Sequence, residues 1–284
     1  MSKDCLDREV ADALRAGPGF DLRTFDRAST PGFSGGKKSA KALLKAQGDV
    51  LGELQERLFA HGRTGGTRNV LLVLQGSDTA GKGGIVRHVM GLVDPQGVAL
   101  RSFGVPTPQE REHDFLWRIR NALPPGGRIG VFDRSHYEDV LVARVHGLVP
   151  REVWEARYDE INAFEEELVE AGTVVVKVAL LVSYDEQGAR LAERLERPDK
   201  YWKYDPSDVD ERLLWDEYQE AYQAVLDRTS TARAPWYVVP SDDKGYARLA
   251  VSQLLIDALA SLGLDWPEPS FDVEAEKARL AATR

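Results

Sequence analysis

Residues 70–84, VLLVLQGSDTAGKGG, run from a purely apolar stretch straight into a loop framed by Gly76 and Gly81, with Lys82 next. A short apolar run bounded by glycine fits a buried strand. The loop has the spacing of a phosphate-binding P-loop, except that Gly83 stands where Ser or Thr is expected. Strand, glycine turn and helix start together form the opening of a parallel βαβ unit, which narrows the fold more than any other segment does. Glycines let the backbone turn through φ > 0 and approach an anion closely, so the backbone of Gly76, Ser77, Thr79, Ala80, Gly81 and Gly83 is the expected phosphate cradle. Lys82 adds a mobile charge, and a helix starting near Gly83 adds positive potential. Gly83 carries no hydroxyl for a metal ion, so another oxygen must serve, and Asp78 inside the loop is the nearest. The plain alternative is a strand-to-helix connection that binds nothing.

The rest of the chain repeats the alternation. Strands are expected at 69–75, 98–104, 128–134, 173–183 and 234–240, and helices at 37–60, from the P-loop through Met90, from Thr107, at 137–145, 150–170, from a cap at Asp185 to Glu196, at 209–227 and at 246–262. Thr107, Pro108 and Glu110 have the order of an N-cap, N1 and N3. Strands alternating with helices predict an α/β three-layer sandwich around a mainly parallel five-stranded sheet. Residues 1–35 read as a surface arm, 36–265 as the folded domain and 266–284 as a tail.

Charge and composition exclude other classes. The 284 residues carry a net charge of −9, which argues against a general nucleic-acid binder. No apolar run reaches the roughly 18 residues of a membrane span, and the N-terminus lacks the apolar centre of a signal peptide, so a cytoplasmic protein without membrane contact is expected. The one cysteine, Cys5, leaves no internal disulfide or multi-thiolate site and suggests no catalytic task. The five histidines have no metal-like spacing.

Ligands of such a sheet bind beyond the strands' carboxyl ends. Asp133 follows an apolar run there, where it is either a metal-orienting carboxylate or the cap of a helix near Tyr137. Glu138, one turn on, is a third candidate metal ligand or a helix N-terminal charge. Arg134 is fixed beside Asp133 and either clamps phosphate or pairs with that aspartate. Lys82, Arg118, Arg190, Arg194, Lys200 and Lys203 sit near the same ends. The segment from Arg190 to Lys203 fits a lid closing basic side chains over phosphates, or a solvated helical face. Trp202, Trp215 and Trp236 either stack on a base or fill the core. The run EEEL at 165–168 reads as a solvated face, while Phe164 and Leu168 keep the core stripe.

Beyond these motifs, GFSGGKKSA, GSDTAGKGG, SFGVPTPQE followed by DFLWR, FDRSHYEDVLVARV, YWK, LWDEYQEAY and TSTARAPWYVVP, in this order and spacing over residues 20–265, resemble the polyphosphate kinase 2 family. The resemblance implies a P-loop kinase fold with a helical lid at about 187–215. It implies reversible, in-line phosphoryl transfer between inorganic polyphosphate and ADP or AMP, and their guanine counterparts. It further implies Mg²⁺, with Mn²⁺ an acceptable substitute, and a homo-oligomer (dimer or tetramer). By motif, Asp78 and Asp133 look like metal- or phosphate-organising carboxylates, Lys82 and Arg134 like transition-state clamps, and Arg194 and Lys203 like lid contacts. The HYEDVLVARV form is similar to the subgroup acting on both mono- and diphosphates. The chain departs from the family pattern at Asp133, where that subgroup often has Asn, and at Tyr201, where Arg is common. An ATP-dependent small-molecule or nucleotide kinase of the same fold is the competing expectation.

Overall fold

The computed structural model describes residues 10–283, so Cys5 lies outside the described residues. Five strands, β1 (Asn69–Gln75), β2 (Val98–Ser102), β3 (Ile129–Asp133), β4 (Thr173–Leu181) and β5 (Trp236–Pro240), pair in the order β2-β3-β1-β4-β5, every pair parallel. The central strand β1 is buried along its whole length, as its unbroken apolar run demands. Its side chains alternate between two cores. Val70, Leu72 and Leu74 pack on one face and Leu71 and Val73 on the other.

The helices in chain order are α1 (Val10–Leu14), α2 (Lys37–Arg63), α3 (Lys82–His88), α4 (Trp117–Arg120), α5 (Val142–Val145), α6 (Arg151–Glu170), α7 (Tyr184–Glu196), α8 (Ser207–Leu213), α9 (Trp215–Thr229), α10 (Lys244–Ser261) and α11 (Val273–Ala281). Residues of α2, α3 and α10 build the first core, and those of α6 and α9 the second. This is a three-layer α/β sandwich. The chain goes from β1 to one side for β2 and β3 and crosses to the other for β4 and β5, so the order reverses at β1. The crevice at the carboxyl end of β1 is therefore where a ligand belongs.

Several expected elements differ. The helix from Thr107 is not continuous. Thr107 and Glu110 do form the reciprocal capping box, at 2.8 and 3.2 Å, but His113 is extended and Asp114 starts a new turn by accepting from the Leu116 amide. The helix expected at 137–145 is a 3₁₀ turn, His136–Asp139, followed by α5. The one at 209–227 breaks at Leu214 into α8 and α9. Ser183, not Asp185, caps α7, its hydroxyl accepting from Glu186 N. The reason is positional: Ser183 is extended at the end of the strand, whereas Asp185 is already in the first turn.

Residues 10–35 do more than lie on the surface. Val10, Leu14 and Leu22 are fully buried. Ala16 N donates to Trp236 O at 2.8 Å, Tyr246 Oη donates to Pro31 O, and Arg15 bridges Tyr237 in antiparallel fashion along β5. The segment covers a strand edge that would otherwise present unpaired backbone groups. Beyond residue 265, α11 buries none of its side chains.

The run EEEL is a solvated face only in part: Glu166 and Glu167 point to solvent, but Glu165 does not. Glu165 is buried with Lys177 of β4, at 2.6 Å, and with the Tyr137 hydroxyl, which donates to it at 2.8 Å. Its position explains this, since Ile161, Phe164, Glu165 and Leu168 share one helical stripe and all are buried. Trp236 is a core residue, its indole N–H donating to Thr229 Oγ1.

Candidate active site

Register brings the site together. Leu74 of β1 lies opposite Asp133 of β3, which lies opposite Ser102 of β2. The pairing continues past the strands through Arg134 N to Leu74 O at 3.0 Å and Phe103 N to Asp133 O at 3.0 Å. Gln75 Nε2 then donates to Ser135 Oγ at 3.1 Å. Three strand ends and the two loops that leave them are thus locked side by side.

The P-loop takes the shape its glycines allow. Gly76 has φ +154, and a Cβ there would stand 2.5 Å from Leu180 O. We expect Gly76→Ala to lose about 1–3 kcal/mol of stability, the ordinary cost of overpacking, whereas Gly83→Ala, where an added Cβ meets nothing within 4 Å, leaves stability within about 0.5 kcal/mol or raises it; urea unfolding of the two variants checks this. The open space at Gly83 means that the missing hydroxyl is not a steric necessity. Lys82 is buried, with Nζ donating to the carbonyls of Gly76 and Ser77 at 2.6 and 3.2 Å. Its charge is thereby held inside the loop that would receive an anion.

Arg134 sits in the left-handed region, at φ +64, a conformation that costs a non-glycine residue about 1–2 kcal/mol. The turn sends its guanidinium across to Asp78, 3.0 Å away. Arg134 therefore pairs with the P-loop carboxylate and not with its neighbour Asp133. The cap reading of Asp133 also gives way, because Ser135 Oγ accepts from Tyr137 N. Burial pushes the Asp78 carboxyl up, but Lys82, Arg134 and Arg194 outweigh it and leave Asp78 below the ordinary carboxylate range. Glu138 behaves oppositely: burial holds it above that range despite Arg134 and Lys82. Arg134 itself is raised, burial being outweighed by Glu138, Asp78 and Asp133.

Around these groups lies a cavity of about 640 Å³ lined by Asp78 to Ile85, by Ser102 to Gly104, by Asp133 and Arg134, and by residues of α7, α10 and the turn after α7. Nine lysines and arginines line it against three carboxylates, Asp78, Asp133 and Glu193, in a chain whose net charge is −9. So dense a basic lining set against the global sign suits a polyanion. Of the expected residues, Asp78, Thr79, Ala80, Gly81, Lys82, Gly83, Asp133, Arg134, Arg194, Lys200 and Lys203 line it together. Arg194 is aimed by Asp208, at 2.8 Å, and by Lys203 O. Arg118 lies apart in a second cavity, donating to Gly104 O and facing Glu110 and Asp139.

Sequence reading missed Arg87 and His88 at the end of α3, and Lys244 and Arg248 on α10. The last two stand one helical turn apart just after the carboxyl end of β5, so the strand-end rule already pointed to them. Trp202 is 78% exposed and stacked with Lys203 Nζ, 4.9 Å from the ring centre.

The donor set suits a hard divalent cation of a particular kind. Among the described residues no group of three or more His, Cys, Asp or Glu converges as a metal cage, while two carboxylates of the P-loop and β3 line one cavity with cationic neighbours. That fits a cation held by one or two carboxylates together with phosphate oxygens and water. Among the described residues no helix is long and apolar enough to cross a membrane.

Comparison with known proteins places this geometry. The profile of the family "Polyphosphate kinase 2" matches residues 36–264. The chain is 46% identical over 250 residues, covering 88% of it and 92% of the other chain, to a Meiothermus ruber protein called AMP/ADP-polyphosphate phosphotransferase. It is 42% identical over 248 residues, covering 83% and 84%, to an ADP-polyphosphate phosphotransferase of Rhodopseudomonas palustris. The crystal structure of polyphosphate kinase 2 from Arthrobacter aurescens TC1 superposes with a TM-score of 0.94 at 54% identity, over 96% of each chain. A P-loop at the reversal of a 2-3-1-4-5 sheet, a basic cavity around it, and a profile match over four-fifths of the sequence agree: the chain belongs to the polyphosphate kinase 2 family.

Proposed function

We propose that this protein transfers the terminal phosphoryl group of inorganic polyphosphate to ADP and to AMP, with Mg²⁺ as the cation. The observation that carries the proposal is the lining of the P-loop cavity, to which nine lysines and arginines contribute, eight of them besides the carbonyl-bound Arg190. A nucleotide alone brings one to three phosphates, whereas a phosphate chain meeting an acceptor nucleotide brings enough negative charge to match them. The names of the Meiothermus and Rhodopseudomonas relatives support the same substrates.

In the transfer, an oxygen of the acceptor's terminal phosphate attacks the last phosphorus of the chain. The bond to the next bridging oxygen breaks, and the shortened polyphosphate leaves as an anion. The attacking oxygen is already ionised at neutral pH, so no side chain need remove a proton; alignment and charge neutralisation do the work. Lys82 and the loop amides hold the transferring phosphoryl group, Arg134 neutralises charge opposite Asp78, and Arg194, Lys200 and Lys203 hold chain oxygens from the lid side. Asp78 and Asp133 would hold the cation, which supplies charge neutralisation on phosphate oxygens. Residues 187–215 act as the lid over this space, excluding water that would otherwise take the phosphoryl group.

Incubation with Mg²⁺, polyphosphate and ADP or AMP as the only nucleotide tests the proposal. ATP from ADP, and ADP from AMP, are expected; no product with polyphosphate but product with ATP as donor would favour the nucleotide-dependent kinase instead. A cytoplasmic homo-oligomer belongs to the same proposal, and light scattering of the purified protein tests the assembly.

A further inference from the structure

The inner face of α7 holds the P-loop by its carbonyls. Arg190 is 5% exposed, and its guanidinium is entirely engaged. Nη1 donates to Thr79 O at 2.8 Å and to Ala80 O at 3.4 Å, Nη2 to Ser241 O and Asp242 O at 2.6 and 2.9 Å, and Nε to Glu186. Gln187, on the same helix face and equally buried, donates to Asp78 O at 3.4 Å, its own oxygen accepting from Arg212 of α8 at 2.9 Å. Consecutive carbonyls of the loop are therefore drawn toward α7.

A trans peptide points its C=O and its N–H in opposite directions. Drawing the carbonyls of Asp78 and Ala80 to the α7 side turns the amides of Thr79 and Gly81 to the other. Thr79 is the residue this arrangement strains, with φ +66, a poor conformation for a β-branched side chain. Its own hydroxyl does not fix it there, because Thr79 Oγ1 is buried with no hydrogen-bond partner. The restraint comes from Arg190. Both ends of Arg190's reach are elements of the site: the P-loop on one side and the turn after β5, from which α10 brings Lys244 and Arg248, on the other.

We propose that Arg190, assisted by Gln187, is a positioning residue that keeps the P-loop in its anion-cradling conformation by pinning the left-handed Thr79 peptide, and so couples the lid helices to phosphate affinity. It rests on the reading of this loop as a phosphate cradle. It assigns Arg190 no contact with the transferring group, unlike Arg194 one turn further along the same helix.

The test uses the full-length protein, with inorganic tripolyphosphate as the probe and calorimetry as the readout. Arg190→Met is expected to weaken tripolyphosphate binding at least about tenfold. Adding Thr79→Gly, which removes the preference against φ > 0, is expected to recover at least about threefold of it, although glycine makes no new contact. A merely structural Arg190 would lower the melting temperature in both variants and show no such recovery. Wild-type affinity in a folded Arg190→Met, or a double variant no tighter than the single, overturns the proposal. Should Arg190→Met not fold, Gln187→Leu with and without Thr79→Gly carries the same comparison, with about threefold loss and its recovery expected and wild-type affinity in Gln187→Leu overturning it. Failure of the wild-type protein to bind tripolyphosphate would instead overturn the cradle reading itself.

Discussion

Lys82→Ala is expected to cut turnover with polyphosphate and ADP at least about a hundredfold, which is about 3 kcal/mol in the barrier, with the fold intact. The ammonium is buried inside the P-loop and held by two of its carbonyls, so truncation leaves the cradle short of its central charge and leaves those carbonyls without that donor. The effect should fall on kcat more than on KM, because the charge to be offset is greatest as the phosphoryl group moves between two anions. Asp133→Ala is expected to lose as much, since Asp133 lies in register beside the end of β1 and supplies one of two carboxylates at the P-loop end of the cavity. Steady-state kinetics across polyphosphate and ADP concentrations, with circular dichroism to verify folding, checks both. A kcat within threefold of wild type in a folded Lys82→Ala would remove Lys82 from the catalytic machinery.

On the proposed function, Asp133 is also expected to bear on which nucleotide is accepted. It lines the same cavity as Arg134 and the P-loop, the space the proposed function gives to the reacting phosphates. Asp133→Asn removes one negative charge without changing shape. It should raise the AMP-to-ADP preference ratio or lower it by at least about threefold, measured as kcat/KM for each; an unchanged ratio would mean that the carboxylate plays no part in acceptor choice.

Local sequence carried most of the site. The P-loop could be read from Gly76, Gly81 and Lys82 alone, and Asp133 and Arg134 from a strand end, because both signals are short-range and tied to elements of strong pattern. What could not be read was pairing across long sequence distances. Arg134 had its neighbour Asp133 in reach, and only the left-handed turn at Arg134 directs it to Asp78, 56 positions away. Arg190 lines the cavity as its helix-mate Arg194 does, yet four backbone carbonyls from two separate loops occupy its guanidinium. Arg118 looked like a phosphate ligand, but its local helix turns it to Gly104 and two acids. Strand identities survived well, as expected for buried parallel strands. The broken helices at 107–120 and 207–229 depended on single residues, His113 and Leu214, whose backbone angles no local pattern announced. Glu165 is different, for the signal was there: it occupies a core position of a stripe whose other members are apolar, and the neighbouring glutamates hid it.

The buried pair of Glu165 and Lys177 yields a large expected stability effect. Lys177 stands in the middle of β4, fully buried, and donates to Glu165, to the Tyr137 hydroxyl at 3.0 Å and to Thr229 O at 2.6 Å. Burial alone would push the Glu165 carboxyl up, but Lys177 and His136 outweigh it and hold it below its ordinary value of 4.5. Burial lowers Lys177. Glu165→Leu leaves a buried ammonium without its counter-ion, and Lys177→Met leaves a buried carboxylate, so each is expected to cost about 3–5 kcal/mol, read from urea unfolding. The double variant should cost less than either single one, because no uncompensated charge remains. It should not return fully to wild type, since the Tyr137 hydroxyl and the Thr229 carbonyl keep their burial and lose their partner. The acid side supplies a second check. A carboxyl depressed in the folded state contributes stability above its unfolded value, and loses that contribution as pH falls through the folded one. From pH 4.5 downward, wild type should therefore lose stability faster than the double variant; parallel curves would mean that Glu165 is not ionised in the fold.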